Sequence, residues 1–137
     1  FMVPASDLGA TIHPPNKWGY GNRAAEVALS EVYKTGVQAY GPMYRAHKVA
    51  GNKIIVSYAQ IGKGLTVAHG DKLQGFAVAG KDGVWHWADA KIDGDTVVVW
   101  SDKVAAPTAV RYAYAAKRQW ANLFNKDGLP ATVFSTE

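Results

Sequence analysis

The sequence predicts a mainly β protein, an antiparallel β-sandwich preceded by a single helix. After Gly41, short runs rich in β-branched and aromatic residues follow one another, and tight turns connect them. Ahead of Gly36, the apolar residues instead recur at helical spacing. Several strands without intervening helices are typical of two packed antiparallel sheets.

The predicted helix covers about residues 17–34. Asn16 is a favourable N-cap, and Gly36 supplies a C-terminal stop. The segment before it, residues 4–15, is interrupted by prolines and glycines and is predicted to be a loop. Nothing else in the sequence provides β-α-β units for this helix, so if it belongs to an α/β layer, most of that layer lies outside the sequence.

The β part is predicted to contain seven strands, at about residues 43–50, 53–61, 64–68, 73–80, 84–92, 95–101 and 108–115. Asp82-Gly83 and Asp93-Gly94 match two-residue hairpin turns, because both tolerate positive φ. The tail, residues 118–137, is predicted to be irregular and to pack its aromatics onto the sheet surface.

Composition excludes several classes of function. The 137 residues suit one domain, and 48% hydrophobic residues allow a real core. The net charge of +4 is scattered rather than arranged in a stripe, which argues against a nucleic-acid partner. The absence of cysteine excludes disulfides and a thiol nucleophile, and we expect neither a membrane span nor a signal peptide. Because Phe1 precedes Met2, we expect a piece of a longer protein.

The loop ahead of the helix holds the candidate catalytic residues. His13 lies between an apolar residue and two prolines, and Asp7 precedes it by six positions. A carboxylate behind a loop-mounted imidazole can fix its tautomer. From these residues alone a structural histidine is the favoured interpretation, because a lone histidine fits many roles.

Other chemistry has less support. No serine has the glycine-flanked elbow of a nucleophile, and no cluster of His, Asp or Glu has metal-ligand spacing. We therefore expect no nucleophile, metal or cofactor in this chain. The run from Trp85 to Trp87 has two interpretations. The favoured one is ordinary packing, with one indole in the core and the other at its rim, and the alternative is an aromatic platform for a sugar face.

The segment DLGATIHPPNKWGYGNRAAEVAL, residues 7–29, resembles the Asp-x-Gly, Ile-His-Pro-x-Asn-Lys and Gly-x-Arg-Leu-Ala pattern of the sialate O-acetylesterase family. These are carbohydrate esterases with an SGNH-type catalytic domain. Residues 40–58, 73–101, 109–115 and 122–137 are similar, in order, to later segments of the same family. The resemblance therefore covers nearly the whole chain.

The resemblance implies that His13 is the catalytic histidine, general base to a serine and then general acid to the departing sugar hydroxyl. Asp7 is expected to orient it, since Thr11 stands where the family often has Asp. The family's serine and its oxyanion-hole Gly and Asn lie upstream and have no counterpart here. Residues 1–38 are thus expected to end an SGNH-like α/β hydrolase domain, and residues 39–137 to form the β-sandwich module.

The expected partners are the N-terminal catalytic portion of the same enzyme, in the same or a separate chain, and an acetylated carbohydrate. Without that portion we expect no esterase activity. The alternative is a non-catalytic accessory or carbohydrate-binding module. The resemblance also implies an extracellular or periplasmic location, and acetylated sialic acid or an acetylated plant polysaccharide as substrate.

Overall fold

The computed structural model describes residues 1–9, 13–115 and 120–137. Within them one helix is followed by short strands that pair antiparallel throughout, which confirms the predicted mainly β class. The elements are α1 Lys17–Glu31, β1 Met43–Ala50, β2 Lys53–Ala59, β3 Leu65–Val67, β4 Phe76–Ala79, β5 Trp85–Trp87, β6 Asp89–Asp93, β7 Thr96–Trp100, β8 Ala109–Tyr112, β9 Leu123–Asn125 and β10 Phe134–Ser135.

Helix α1 begins where the sequence predicts and ends three residues earlier. Asn16 Oδ1 accepts a hydrogen bond from the Gly19 amide at 2.9 Å, which satisfies one of the free donors of the first turn. At the other end Lys34 has a φ of 53° and Gly36 a φ of 79°, both in the left-handed region. The chain therefore leaves the helix before Gly36, at a non-glycine residue that the sequence pattern does not mark as a stop.

The strands form two four-stranded sheets and one small one. The first sheet has the order β1-β2-β7-β6, the second β10-β8-β4-β5, and β3 pairs with β9. Alternate residues of the two large sheets meet in a single hydrophobic cluster, which is the core of a sandwich. Its fully buried members from the inner strands are Ile54, Val56, Val97 and Val99 of the first sheet and Phe76, Val78, Val110 and Tyr112 of the second.

The predicted strand 84–92 is two strands in different sheets. β5 pairs with β4 in the second sheet, whereas β6 pairs with β7 in the first. The change falls at Ala88, whose amide donates to the Phe76 carbonyl at 3.0 Å. Polar and apolar residues alternate within each of the two strands, but the alternation shifts by one residue at the adjacent apolar pair Trp87 and Ala88. This shift is a weak signal for the break, and the sequence prediction did not use it.

The two predicted hairpin turns both join paired strands, but neither has the predicted form. Asp82-Gly83 lies in a five-residue connection, residues 80–84, because Ala79 pairs with Trp85, and the Gly83 amide donates to the Gly80 carbonyl at 3.1 Å. The second turn has two residues and is shifted by one position. Asp82 Oδ1 accepts from the Val84 amide at 3.2 Å between β4 and β5. Between β6 and β7, Asp93 pairs with Thr96, so the two loop residues are Gly94 and Asp95.

The tail is more regular than predicted. β9 pairs with β3, and β10 pairs with β8 at the edge of the second sheet. These strands have three and two residues, too few to show a period-two pattern in the sequence. The predicted strand 108–115 stops at Tyr112, because Ala113 takes a φ of 52°. Residues 116–119, which include the start of the predicted tail, lie outside the described part.

A buried amide ties the tail to the loop between β3 and β4. Asn122 is 2% exposed, and its Oδ1 accepts from the Gln74 amide at 2.8 Å. Its Nδ2 donates to the carbonyls of His69, at 2.7 Å, and Lys72, at 2.8 Å. One side chain thus satisfies three backbone groups of a loop about fifty residues away in sequence.

We expect Asn122→Ala to lower the free energy of unfolding by about 3 kcal/mol, because each of three backbone groups loses a partner at about 1 kcal/mol or more. Chemical denaturation measures the difference. Asn22→Ala, an exposed asparagine of α1, is the control and should stay within about 0.5 kcal/mol of the unmodified chain. Equal denaturation midpoints for the two variants would contradict the structural role of Asn122.

A second tie joins the turn after β2 to the turn after β9. Asp127 Oδ2 accepts from the Lys63 amide at 2.9 Å, and its Oδ1 lies 3.0 Å from Lys63 Nζ. The backbone hydrogen bond from Lys63, followed by the side-chain hydrogen bond and the charge of the same residue, lowers the pKa of the Asp127 carboxyl below its ordinary value of 3.8.

Because this pKa is depressed in the folded chain, ionised Asp127 stabilises the fold above pH 3.8, and the contribution disappears as the pH falls through the lowered pKa. We therefore expect Asp127→Asn to lower the melting temperature at pH 7 and to match the unmodified chain more closely as the pH is reduced below 3.8. Thermal melts at several pH values, with Asp102→Asn as the exposed control, measure it. A gap that is constant with pH would refute the electrostatic origin.

Candidate functional site

The loop that carries the predicted catalytic residues is anchored to helix α1 by Arg23. Its Nη2 lies 2.8 Å from Asp7 Oδ2 and its Nη1 3.1 Å from Asp7 Oδ1, a bidentate pair. Nη1 also donates to the Pro4 carbonyl at 2.8 Å. The two side chains are only 11% and 21% exposed, so the pair is poorly screened by solvent. Arg23 therefore fixes the loop against the helix.

His13 lies at the other end of this loop, exposed, three residues ahead of the N-cap Asn16. Residues 10–12 separate it from the anchored part and lie outside the described residues. They include Thr11, the residue that stands where the family often has Asp. Among the described residues no hydrogen bond or ion pair joins His13 to Asp7. The structure brings Asp7 to Arg23 and leaves the imidazole accessible, and the catalytic roles of His13 and Asp7 stay predictions.

The role of Arg23 as the anchor of the loop was not predicted from the chemistry of the residues, although the sequence contains a signal for it. It is the arginine of the Gly-x-Arg pattern in the family resemblance, and Asp7 is the aspartate of the Asp-x-Gly pattern. The two patterns are sixteen residues apart, and their charges are opposite. Pairing them would have predicted the anchor.

Helix α1 exposes a stripe of apolar residues. Trp18, which is 80% exposed, and Leu29 lie on one side at helical spacing, and Val32 and Tyr33 continue the stripe beyond the helix end. Val27, the buried residue of the helix, lies on the opposite side with Arg23. An apolar stripe of this kind is typical of a helix that packs against another element.

The tryptophans of β5 both belong to the outer face of the second sheet. Trp85 is half-buried, with the Arg111 guanidinium 4.2 Å above its ring, and Trp87 is 62% exposed. Neither indole is a core residue, which corrects the favoured interpretation of this run. The reason is that side chains alternate between the two faces of a strand. His86 pairs with the core residue Val78, so its two neighbours in β5 point outward.

The fold defines a two-sheet antiparallel module preceded by an exposed loop and a helix. A comparison with protein-family models gave no match, and neither did a comparison with curated proteins.

Among solved structures, the chain is similar to the crystal structure of a carbohydrate acetylesterase from Xanthomonas citri. The identity is 40% and the TM-score 0.90, over 96% of this chain and 31% of that one. The chain thus spans about a third of the length of that enzyme. Over nearly all of its own length it is related to a carbohydrate esterase.

The described residues contain no helix that is both long and apolar enough to cross a membrane. Among the same residues, His, Asp and Glu do not gather into a group of three or more that could hold a metal ion.

If Arg23 holds the loop, Arg23→Ala should free it without unfolding the β module. Hydrogen bonds to charged groups contribute about 1.5–3 kcal/mol, so hydrogen exchange at the Leu8 amide, which donates to the Ala5 carbonyl at 3.1 Å, should accelerate by about 10- to 100-fold. Arg23→Lys should give an exchange rate between those of the unmodified chain and Arg23→Ala, because an ammonium cannot reproduce the bidentate pair.

The control is Arg45→Ala, an exposed arginine of β1. An unchanged exchange rate at Leu8 in Arg23→Ala, with the β module intact, would show that the pair does not hold the loop.

Proposed function

We propose that this chain is the C-terminal portion of a carbohydrate O-acetylesterase of the SGNH type and that His13 is its catalytic histidine. The observation that carries the proposal is the similarity to a carbohydrate acetylesterase over 96% of the chain. The exposed position of His13, on a loop anchored at its start, agrees with the role, because a general base must reach a group outside its own segment.

In this proposal His13 takes the proton of a serine hydroxyl as the serine oxygen attacks the acetyl carbonyl carbon. The imidazolium then returns the proton to the sugar oxygen as the ester bond breaks, leaving an acetyl-serine. Water attacks the acetyl group with His13 again as base, and acetate leaves as the serine recovers its proton. Ester and water thus give acetate, a proton and a free sugar hydroxyl.

Asp7 orients the imidazole in the same proposal. A carboxylate offers about four lone-pair positions, and Arg23 occupies two of them. The remaining capacity can accept an imidazole N–H. Arg23 is then a positioning residue, which acts on the histidine only through Asp7 and the loop.

The serine and the oxyanion donors belong to the N-terminal catalytic portion, which we propose as the partner of the exposed stripe of α1. Residues 1–38 would complete that portion, and residues 39–137 would form the β module beside it. The chain spans 31% of the similar acetylesterase, so the rest of that enzyme is long enough to contain a catalytic domain. The finer assignment, a sialate O-acetylesterase-like enzyme located outside the cytoplasm, rests on the sequence resemblance.

The test uses the polypeptide in which this chain is joined to its serine-bearing portion. We expect His13→Ala to lower kcat/KM for an acetylated sugar by about 10⁶-fold, since the histidine and serine act as a unit. His47→Ala, a histidine of β1 that is hydrogen-bonded to Tyr44, is the matched control and should keep full activity.

The 137-residue chain by itself should hydrolyse the ester no faster than free imidazole. Activity of the joined polypeptide that survives His13→Ala within tenfold would refute the role of His13. An acetyl-enzyme formed on the isolated chain would refute the assignment of the serine to another portion.

A further inference from the structure

A groove runs along the edge of the sandwich where β5 passes into β6. It consists of two depressions, of about 390 and 260 Å³, that share the lining residues Lys72, Leu73 and Asp89. The larger one follows β6 from Asp89 to Ile92, with Trp100 of β7 beside Asp89, and the smaller one reaches Trp87 and Trp120. The groove therefore lies at the edge of both sheets and belongs wholly to the β module.

Trp87 offers a flat apolar surface in this groove. The ring is 62% exposed, and its centroid lies 5.0 Å from that of Trp120 in an edge-to-face arrangement. Trp87 also pairs with Ala77 in the register of β5 and β4, which fixes its backbone. A solvent-facing indole held in this way has little conformational freedom left to lose when a ligand stacks on it.

The opposite wall is held in place as well. Asn122 binds the backbone of His69, Lys72 and Gln74, and Leu73 forms an isolated bridge with Ala90 of β6. The loop between β3 and β4 is thus fixed to the strand that it faces. The groove is formed before any ligand arrives.

The polar groups of the groove balance one another in charge. Asp71 and Asp89 carry negative charge, Lys72 and Lys91 positive charge, and no ion pair joins these four side chains. Their donors and acceptors are therefore available, while the described lining has no net charge. Such a lining does not select an anion or a cation, and it suits a neutral ligand with many hydroxyl groups.

We infer that this groove binds a neutral oligosaccharide, stacked through a pyranose ring on Trp87 and hydrogen-bonded by Lys72, Gln74 and Asp89. The sugars that fit are those with equatorial hydroxyls, because their axial C–H groups make one face of the ring apolar. This binding site is separate from His13 and does not depend on the proposed hydrolysis.

Isothermal titration of the purified chain with two soluble probes, the β-1,4-linked hexasaccharides of xylose and of glucose, tests the site. We expect at least one to bind, and we expect Trp87→Ala to weaken that binding by about tenfold. Trp87→Phe should restore part of the affinity, and Asp89→Asn should weaken binding to a smaller degree.

The matched control is Trp18→Ala, which removes an indole of even greater exposure from α1. The NMR signals of the five indole N–H groups locate the probe on the unmodified chain, and those of Trp87 and Trp120 should shift most. Absence of binding by both hexasaccharides, or an equal loss of affinity in Trp18→Ala, would overturn the inference. Neither result bears on the esterase proposal, which is measured by the loss of activity in His13→Ala.

Discussion

Alternating burial along the inner strands is the constraint on which the rest of the fold depends. Ile54 and Val56 of β2 and Val97 and Val99 of β7 face Phe76, Val78, Val110 and Tyr112 of the second sheet. A shift of one residue in any of these strands would expose its whole buried set, so the register is strongly determined. The same parity decides what the outer surfaces contain. Because His86 pairs with the inward-facing Val78, Trp85 and Trp87 are forced outward, and the position of Trp87 at the groove is a consequence of the core.

The hydrophobic core does not extend to the loop and helix at the start of the chain. Helix α1 has one buried apolar residue, Val27, and its loop is attached through the charged pair of Arg23 and Asp7. An ion pair that is largely shielded from water is directional and specific, whereas apolar burial is neither. This difference suits a segment that must present one side chain in a defined place. It also leaves the apolar stripe of α1 available for a further element.

Local patterns in the sequence predict the parts of this fold that local forces determine. The bounds of β1 and the start of α1 agree with the prediction, because a hairpin turn and an N-cap are encoded by adjacent residues. Strands β9 and β10 were not predictable in this way, and the division between β5 and β6 is marked only by the adjacent apolar residues Trp87 and Ala88. These elements depend on partners far along the chain, since β9 pairs with β3 and β10 with β8. The catalytic role of His13 was predicted through a family resemblance, since a single exposed imidazole has no distinctive local pattern.

The two candidate sites make different demands on the chain. A groove that binds a neutral ligand needs only a rigid edge, whereas a general base needs a nucleophile within about 3 Å, which another element must bring. The segment between α1 and β1 connects the two sites. Gly41, in the connecting segment, is buried so closely against Leu129 and Pro130 that a β-carbon there would meet their carbonyl oxygens. The next residue, Pro42, accepts from the Thr132 amide at 3.0 Å. The end of the connection, residues 39–42, is thus packed into the β module, whereas residues 32–38, between it and α1, are exposed. The sandwich therefore holds the chain in place from Ala39 onward, and a catalytic portion docked on α1 would add the contacts that place the helix.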